Sequence, residues 1–149
     1  MDPNDDFREL LELFNAHGIE YAVVGALALA WYGHPRYTGD IDLFVKPDPD
    51  NAQKIIAALD QFGFGGLGIT IEDFTTPDRV IQLGVPPGRV DLLTSLSGIT
   101  WDQVSSGSVN GEYAGVPVRY IGKADYIRNK QTVGRHRDLA DIEAISQDL

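Results

Sequence analysis

The sequence contains no cysteine, so disulfides, thiolate nucleophiles and metal sites with Cys ligands are excluded. Positive charge is scarce as well. Only 12 Lys and Arg stand against 22 Asp and Glu among 149 residues, which gives a formal net charge of −10. Such a chain is not expected to wrap a long nucleic acid, because non-specific binding to phosphates depends on Lys and Arg. The charge leaves open an acidic site that binds a cation.

Long apolar runs are also missing, since none approaches the ~20 residues that span a bilayer. The segment from Met1 to Asp6 is polar and acidic, which is typical of neither a signal peptide nor a transit peptide. We therefore expect a cytoplasmic protein that does not enter a membrane. Its composition, 43% hydrophobic and 23% charged, is that of a globular chain, and its length fits a single domain over residues 1–149.

Hydrophobic spacing predicts helices at both ends of the chain and strands concentrated in the middle. Helices are expected over residues 2–17, 26–32, 50–62, 123–133 and 136–149. Strands are expected over residues 21–24, 41–45, 69–74, 80–85, 90–93 and 116–121. The glycine-rich residues 63–68 read as a flexible turn, residues 95–111 stay unassigned, and Pro117 indicates an edge strand. This order predicts an α+β or mixed α/β fold.

Two carboxylates, Asp40 and Asp42, alternate with apolar residues in the second of these strands. Because side chains alternate faces along a strand, both acids project from the face opposite Ile41 and Leu43. Like charges on one face repel each other unless a cation lies between them. Hard oxygen ligands of this kind suit Mg²⁺. The alternative is a pair of acids at a solvated strand end.

Two other features point to the same chemistry. Gly25-Ala26 joins a strand to a helix, where glycine lets the backbone approach a ligand and free N–H groups favour phosphate. Alternatively, Gly25 only makes the turn.

Asp91 is embedded in another short apolar strand, and if that strand lies beside the first acidic one, Asp91 completes a three-carboxylate site. Such a set can hold the ions of a two-metal clamp.

A basic cluster late in the chain consists of Arg128, Lys130, Arg135, His136 and Arg137. Its charge could meet a triphosphate or an anionic acceptor. The alternative is a solvated helix face on which Arg135 and Arg137 pair with Asp138 and Asp141.

The pattern resembles the nucleotidyltransferase superfamily with the DNA polymerase β-like palm. The motifs that carry this resemblance are Gly25-Ala26, the run Thr38-Gly39-Asp40-Ile41-Asp42-Leu43-Phe44-Val45, and the distant Asp91. The run Gly33-His34-Pro35-Arg36-Tyr37-Thr38 before the aspartates strengthens a narrower match within the superfamily. The ending Lys130-x₄-Arg135-x₂-Asp138-x₂-Asp141 is similar to the closing helix of small nucleotidyltransferase-like proteins from bacterial type IV toxin–antitoxin systems. The resemblance covers nearly the whole chain.

The resemblance implies a nucleotidyltransferase-type palm with closing C-terminal helices. Metal binding and catalysis would fall to Asp40, Asp42 and Asp91. The implied nucleotide-binding residues are Gly25, Ala26, Arg36, Thr38, Lys130 and Arg135. Mg²⁺, or Mn²⁺, would be the cofactor, an NTP such as ATP the substrate, and an antitoxin protein a partner. The implied reaction transfers a nucleoside monophosphate to a hydroxyl of an RNA end, a protein or a small molecule and releases pyrophosphate.

One position departs from the superfamily pattern. Ala26 stands where these proteins usually have Gly or Ser, so a hydroxyl donor is missing and the backbone N–H remains. A second function class therefore stays open, namely a non-catalytic nucleotidyltransferase-fold module that binds a nucleotide or a partner protein. The presence of all three carboxylates favours the enzyme.

Overall fold

A six-stranded mixed sheet organises the chain. The computed structural model describes residues 3–34, 39–84 and 88–146. The strands are β1 (Tyr21–Val24), β2 (Asp40–Val45), β3 (Val80–Leu83), β4 (Arg89–Leu93), β5 (Val109–Tyr113) and β6 (Val116–Tyr120). They lie in the order β3-β4-β2-β1-β6-β5. The pairs β2–β4 and β1–β6 are parallel, and the other neighbours are antiparallel. The predicted α+β class is confirmed.

Seven α-helices flank the sheet within the described residues. They are α1 (Pro3–Ala16), α2 (Gly25–Trp31), α3 (Pro49–Leu59), α4 (Ile71–Thr75), α5 (Trp101–Gly107), α6 (Lys123–Val133) and α7 (His136–Ser146). The apolar stripe of α1 is buried against the sheet, as its helical spacing predicts. None of these helices has the length and apolar character needed to cross a membrane.

Strand β2 shows why the acids face a cleft. Ile41 and Leu43 are fully buried on one face, so the alternating residues Asp40 and Asp42 project from the other. Phe44 continues that second face and is buried under α5, where its ring meets Trp101 edge-on at 5.2 Å. Helix α5 thus covers the Phe44 end of this face of β2, and the end with Asp40 and Asp42 is left uncovered by it.

The strand predicted over residues 69–74 is wrong, since this segment forms the helix α4. Thr70 and Asp73 form a capping box, in which the Thr70 backbone N–H donates to Asp73 Oδ2 at 2.9 Å. This local cap satisfies the free N–H groups of a helix start and outweighs the alternation of apolar residues. Residues 63–68 reverse the chain direction as a turn. Gly63 and Gly68 have positive φ angles of 111° and 71°, and a short 3₁₀ turn at Gly65–Leu67 lies between them.

The edge position predicted for the last strand is also wrong. Strand β6 lies between β1 and β5, and it meets β1 only through the pair Val23–Tyr120, far from Pro117. Pro117, which lacks an N–H, pairs with Glu112 of β5 on one side, and it is tolerated within the sheet because β1 does not reach it on the other. Strand β5, which begins in the segment left unassigned, pairs with β6 through a tight turn at Ala114 and Gly115, both with positive φ.

Candidate active site

The predicted acids meet on adjacent strands. In the parallel pair β2–β4, Asp42 lies opposite Asp91 and Asp40 lies opposite Arg89. Strand β3 adds Gln82 opposite Asp91. Because residues in register share a face, all three carboxylates face one cleft of about 500 Å³. The adjacency on which the three-carboxylate hypothesis depends is therefore present in the structure.

The pKa of Asp42 is perturbed by burial and by the two neighbouring carboxylates. Burial and, after it, the nearby charges of Asp91 and Asp40 together raise the pKa of Asp42 to about 7, although the charge of Lys130 opposes the shift. Like charges at close range disfavour the ionised form. The cluster thus favours a cation that would compensate its charge.

Arg89 already supplies one cation to this cluster. Its Nη2 donates to Asp40 Oδ2 at 2.6 Å and to Asp91 Oδ2 at 3.2 Å. The sequence prediction missed this residue, although the period of two along a strand puts it on the face of Asp91, two positions later. That spacing is the signal that could have revealed it.

The donor chemistry of the three acids fits a divalent cation. Carboxylate oxygens are the hard ligands that Mg²⁺ and Mn²⁺ prefer, and Asp91 Oδ1 is buried without a hydrogen bond. In the part of the chain that the structure describes, no group of three His, Cys, Asp or Glu is already arranged to hold an ion. The metal assignment of Asp40, Asp42 and Asp91 stays a prediction.

Gly25 joins β1 to α2 directly beside the acids. Its φ is +66°, a left-handed conformation that glycine adopts without strain. A Cβ at this position would overlap Asp42 Oδ2. Gly25 therefore makes the turn, as the simpler interpretation states, and also brings the backbone against the Asp42 carboxylate. Ala26 follows it in the cleft lining.

A second wall of the cleft is basic. Lys130 and Arg135 both line it, and both pair with the fully buried Asp138. Lys130 Nζ lies 3.4 Å from Asp138 Oδ1, and Arg135 Nε lies 2.6 Å from Asp138 Oδ2. The hydrogen bond from Arg135, aided by the charge of Lys130, lowers the pKa of Asp138 to about 2. The alternative pairing of Arg135 with Asp138 is thus observed, and it holds Arg135 at the cleft.

The remaining predicted residues divide into two groups. Arg128 and His136 are exposed and do not belong to the cleft lining. Arg36 and Thr38 lie outside the described residues, as does the side chain of Arg137. The structure therefore brings the three acids together with Gly25, Ala26, Lys130 and Arg135.

A third wall, contributed by β3 and the segment after β4, was not predicted. Its lining residues carry no charge, and they are Val80, Gln82, Leu93, Ser95, Leu96 and Ser97. Asn129, buried on α6, fixes this segment through a hydrogen bond of 3.0 Å from Nδ2 to Ser97 O. Residues 95–97 show no periodic pattern, so the sequence offered no signal for them.

Comparison with known proteins agrees with this geometry. The family model of the nucleotidyl transferase AbiEii toxin of type IV toxin–antitoxin systems matches residues 9–133. The chain belongs to this family and is thus a nucleotidyltransferase by descent. The suspected resemblance is confirmed.

A solved structure shares the fold. It is that of a candidate nucleotidyltransferase from Thermotoga maritima, with a TM-score of 0.64 and 12% sequence identity over 96% of this chain and 91% of the other. No curated protein matches the sequence significantly. At this identity, the structural match supports the fold, and the roles of individual residues stay predictions.

Proposed function

We propose that this nucleotidyltransferase moves a nucleoside monophosphate from an NTP to a hydroxyl acceptor in a reaction that depends on Mg²⁺ or Mn²⁺. The observation that carries the proposal is the register of β2 and β4, which sets Asp42 beside Asp91 with Asp40 on the same face. These acids share their cleft with Lys130 and Arg135. Acidic and basic side chains that line one cleft are suited to a metal-bound polyphosphate.

The three carboxylates would hold the metal. When bound, divalent ions supply positive charge that activates an attacking hydroxyl and stabilises a leaving oxygen. The chain itself positions the substrate. The ammonium of Lys130 and the guanidinium of Arg135 would bind the triphosphate, and Gly25 allows the close approach of the backbone that a phosphate needs.

The bond changes follow from the substrate. The acceptor oxygen bonds to the α-phosphorus, the bond from that phosphorus to the bridging oxygen breaks, and pyrophosphate leaves while the hydroxyl proton passes to water. The uncharged wall formed by residues such as Gln82, Ser95 and Ser97 is the surface left for the acceptor. It suits an RNA end, a protein or a small molecule better than a long polyanion, which requires a track of basic groups. Family membership also suggests an antitoxin protein as partner.

The test is label transfer by the purified chain. Labelled NTPs are incubated with Mg²⁺ or Mn²⁺ and with cellular RNA, protein or small-molecule fractions. We expect Asp42→Asn to lower transfer at least about hundredfold, since it removes a central carboxylate. Asp50→Asn on α3 is the matched control, because Asp50 is 79% exposed and pairs only with Lys54 in the described contacts.

Three outcomes discriminate between the functions. Transfer lost in Asp42→Asn but kept in Asp50→Asn supports the enzyme and its site. Transfer unchanged in Asp42→Asn contradicts the proposed site. NTP binding that depends on Mg²⁺, without transfer to any fraction, favours the non-catalytic binding module.

A further inference from the structure

The guanidinium of Arg89 spans two of the three proposed metal ligands. Its Nη2 reaches both Asp40 Oδ2 and Asp91 Oδ2, and its Nε lies 3.1 Å from Asp91 Oδ1. Arg89 and Asp91 follow each other on one face of β4, with Asp40 opposite Arg89. The guanidinium therefore crosses the face diagonally and neutralises charge in the middle of the cluster.

A metal ion and this guanidinium need the same oxygens. Mg²⁺ binds its ligands at ~2.0–2.1 Å, closer than the 2.6 Å and 3.2 Å that separate Nη2 from the oxygens of Asp40 and Asp91. An ion that bound both carboxylates would thus replace Nη2 between them. Like charges would also repel, because both the ion and the guanidinium are positive.

The position of the Arg89 guanidinium allows it to move away from Asp40 and Asp91. Its side chain is 29% exposed and lines the cleft, whereas the Asp91 side chain beneath it is 10% exposed. Its Nε and Asp91 Oδ1 are buried without a hydrogen bond of good geometry, although they are 3.1 Å apart. A buried donor and acceptor in poor alignment contribute less stability than a well-formed hydrogen bond. The contact between Arg89 Nε and Asp91 Oδ1 is therefore weaker than the hydrogen bonds of Nη2.

We propose that Arg89 is a built-in counter-ion of the carboxylate cluster that competes with the divalent cation, so that metal binding displaces its guanidinium. The inference rests on the metal site of the proposed function. Arg89 is a positioning residue in this scheme. It keeps Asp40 and Asp91 on the cleft face before the ion arrives, and it lowers the affinity of the free protein for metal.

The test is Mn²⁺ binding by the full chain without nucleotide, measured by electron paramagnetic resonance of the free ion. We expect Arg89→Gln to bind Mn²⁺ about tenfold to hundredfold more tightly than the unchanged chain, because a charge-assisted contact no longer opposes the ion. Arg89→Lys should lie between them, since an ammonium keeps the charge but cannot span two carboxylates as a fork.

Two controls locate the effect. Arg79→Gln removes an arginine that pairs with Asp73 at 3.3 Å outside the cleft lining, and it should leave Mn²⁺ affinity unchanged. Asp91→Asn combined with Arg89→Gln should abolish the gain. A second readout is the unfolding temperature. In Arg89→Gln it should fall in chelator and recover with Mn²⁺, because Asp40 and Asp91 have lost a shared arginine partner.

The outcomes separate this inference from the proposed function. Equal or weaker Mn²⁺ binding in Arg89→Gln overturns the inference, and so does an absence of Mn²⁺ binding in both proteins. Tighter binding supports it whether or not nucleotidyl transfer is detected. If Arg89→Gln does not fold by circular dichroism, Arg89→Lys decides, and an affinity equal to that of the unchanged chain then counts against the inference.

Discussion

The two charged walls of the cleft are built alike but buried differently. Within the described residues, the acidic wall on β2 and β4 contains the cation Arg89, and the basic wall on α6 and α7 contains the anion Asp138, which pairs with Lys130 and Arg135, with Asp141 buried on the same helix. The Asp138 side chain is 0% exposed, whereas that of Arg89 is 29% exposed. One counter-ion is therefore sealed inside the protein, and the other lies at the surface of the cleft.

This difference in burial predicts a difference in behaviour. Removing one partner of a buried ion pair leaves an uncompensated charge in a poorly polarisable medium, which is strongly unfavourable. Asp138 therefore fixes Lys130 and Arg135 before any ligand arrives. Arg89 can exchange with solvent or with an ion at lower cost. We therefore expect the basic wall to act as a preformed anion site and the acidic wall to adjust to its ligand.

The largest expected effect comes from Gly25→Ala, which alters the acidic wall from its edge. Alanine at a φ of +66° costs ~1–2 kcal/mol of stability, and its Cβ would push the Asp42 carboxylate out of line. A misplaced reacting group costs about hundredfold in rate, so label transfer should fall by at least that factor.

Gly18→Ala is the control for this substitution. Gly18 has a φ of +69° but lies at the end of α1 with open space around its Cβ position. It should carry a similar stability cost, measured by urea unfolding, and leave transfer intact. Equal losses of activity in the two variants would show that backbone strain alone matters and that Gly25 has no special relation to Asp42.

The next effect tests the sealed counter-ion of the basic wall. The folded pKa of Asp138 is about 2, below the ordinary value of 3.8. Its ion pairs therefore stabilise the fold above about pH 4, and this contribution is lost as the pH falls through about 2. We expect Asp138→Asn to lower the free energy of unfolding by about 2 kcal/mol at neutral pH and to weaken NTP binding, because Lys130 and Arg135 lose their anchor.

The measurement is urea unfolding of both proteins between about pH 7 and pH 3. The difference in stability should shrink toward acid, where Asp138 itself becomes protonated. Asp50→Asn, which disrupts an exposed pair on α3, should change stability by less than ~0.5 kcal/mol at each pH. If the difference in free energy of unfolding between the unchanged chain and Asp138→Asn stayed constant with pH, packing and not ionisation would account for the lost stability.

The comparison of the walls also shows what sequence reasoning could reach. Asp40 and Asp42 were predicted to share a face because a strand alternates with a period of two, and that rule is independent of the rest of the fold. The position of Asp91 beside Asp42 could be stated only as a condition, since strand neighbours are chosen by the tertiary fold. The parallel register of β2 and β4 fulfils it.

Other parts of the molecule were beyond such rules. The helix α4 depends on a cap between Thr70 and Asp73 that overrode an apparent strand pattern. The sealed position of Asp138 depends on how α6 and α7 pack, so its two pairings were foreseen only in part, as an exposed contact with Arg135. The alternation rule could have placed Arg89 on the face of Asp91. Its pairing with Asp40 joins two strands, however, and could be identified only from the register of β2 and β4.

The smallest expected effect concerns Ala26, the residue after Gly25 at the edge of the acidic wall. Ala26 lines the cleft and is half-buried at the start of α2, but its methyl group cannot donate a hydrogen bond. Ala26→Ser adds one donor, and a net hydrogen bond of ~0.5–1.5 kcal/mol corresponds to an NTP affinity about two- to tenfold higher. Ala30→Ser, on the same helix but outside the cleft lining, should leave the affinity unchanged. A calorimetric titration that gives the same dissociation constant for both variants would place the phosphates away from α2, and the anion site would then rest on Lys130 and Arg135 alone.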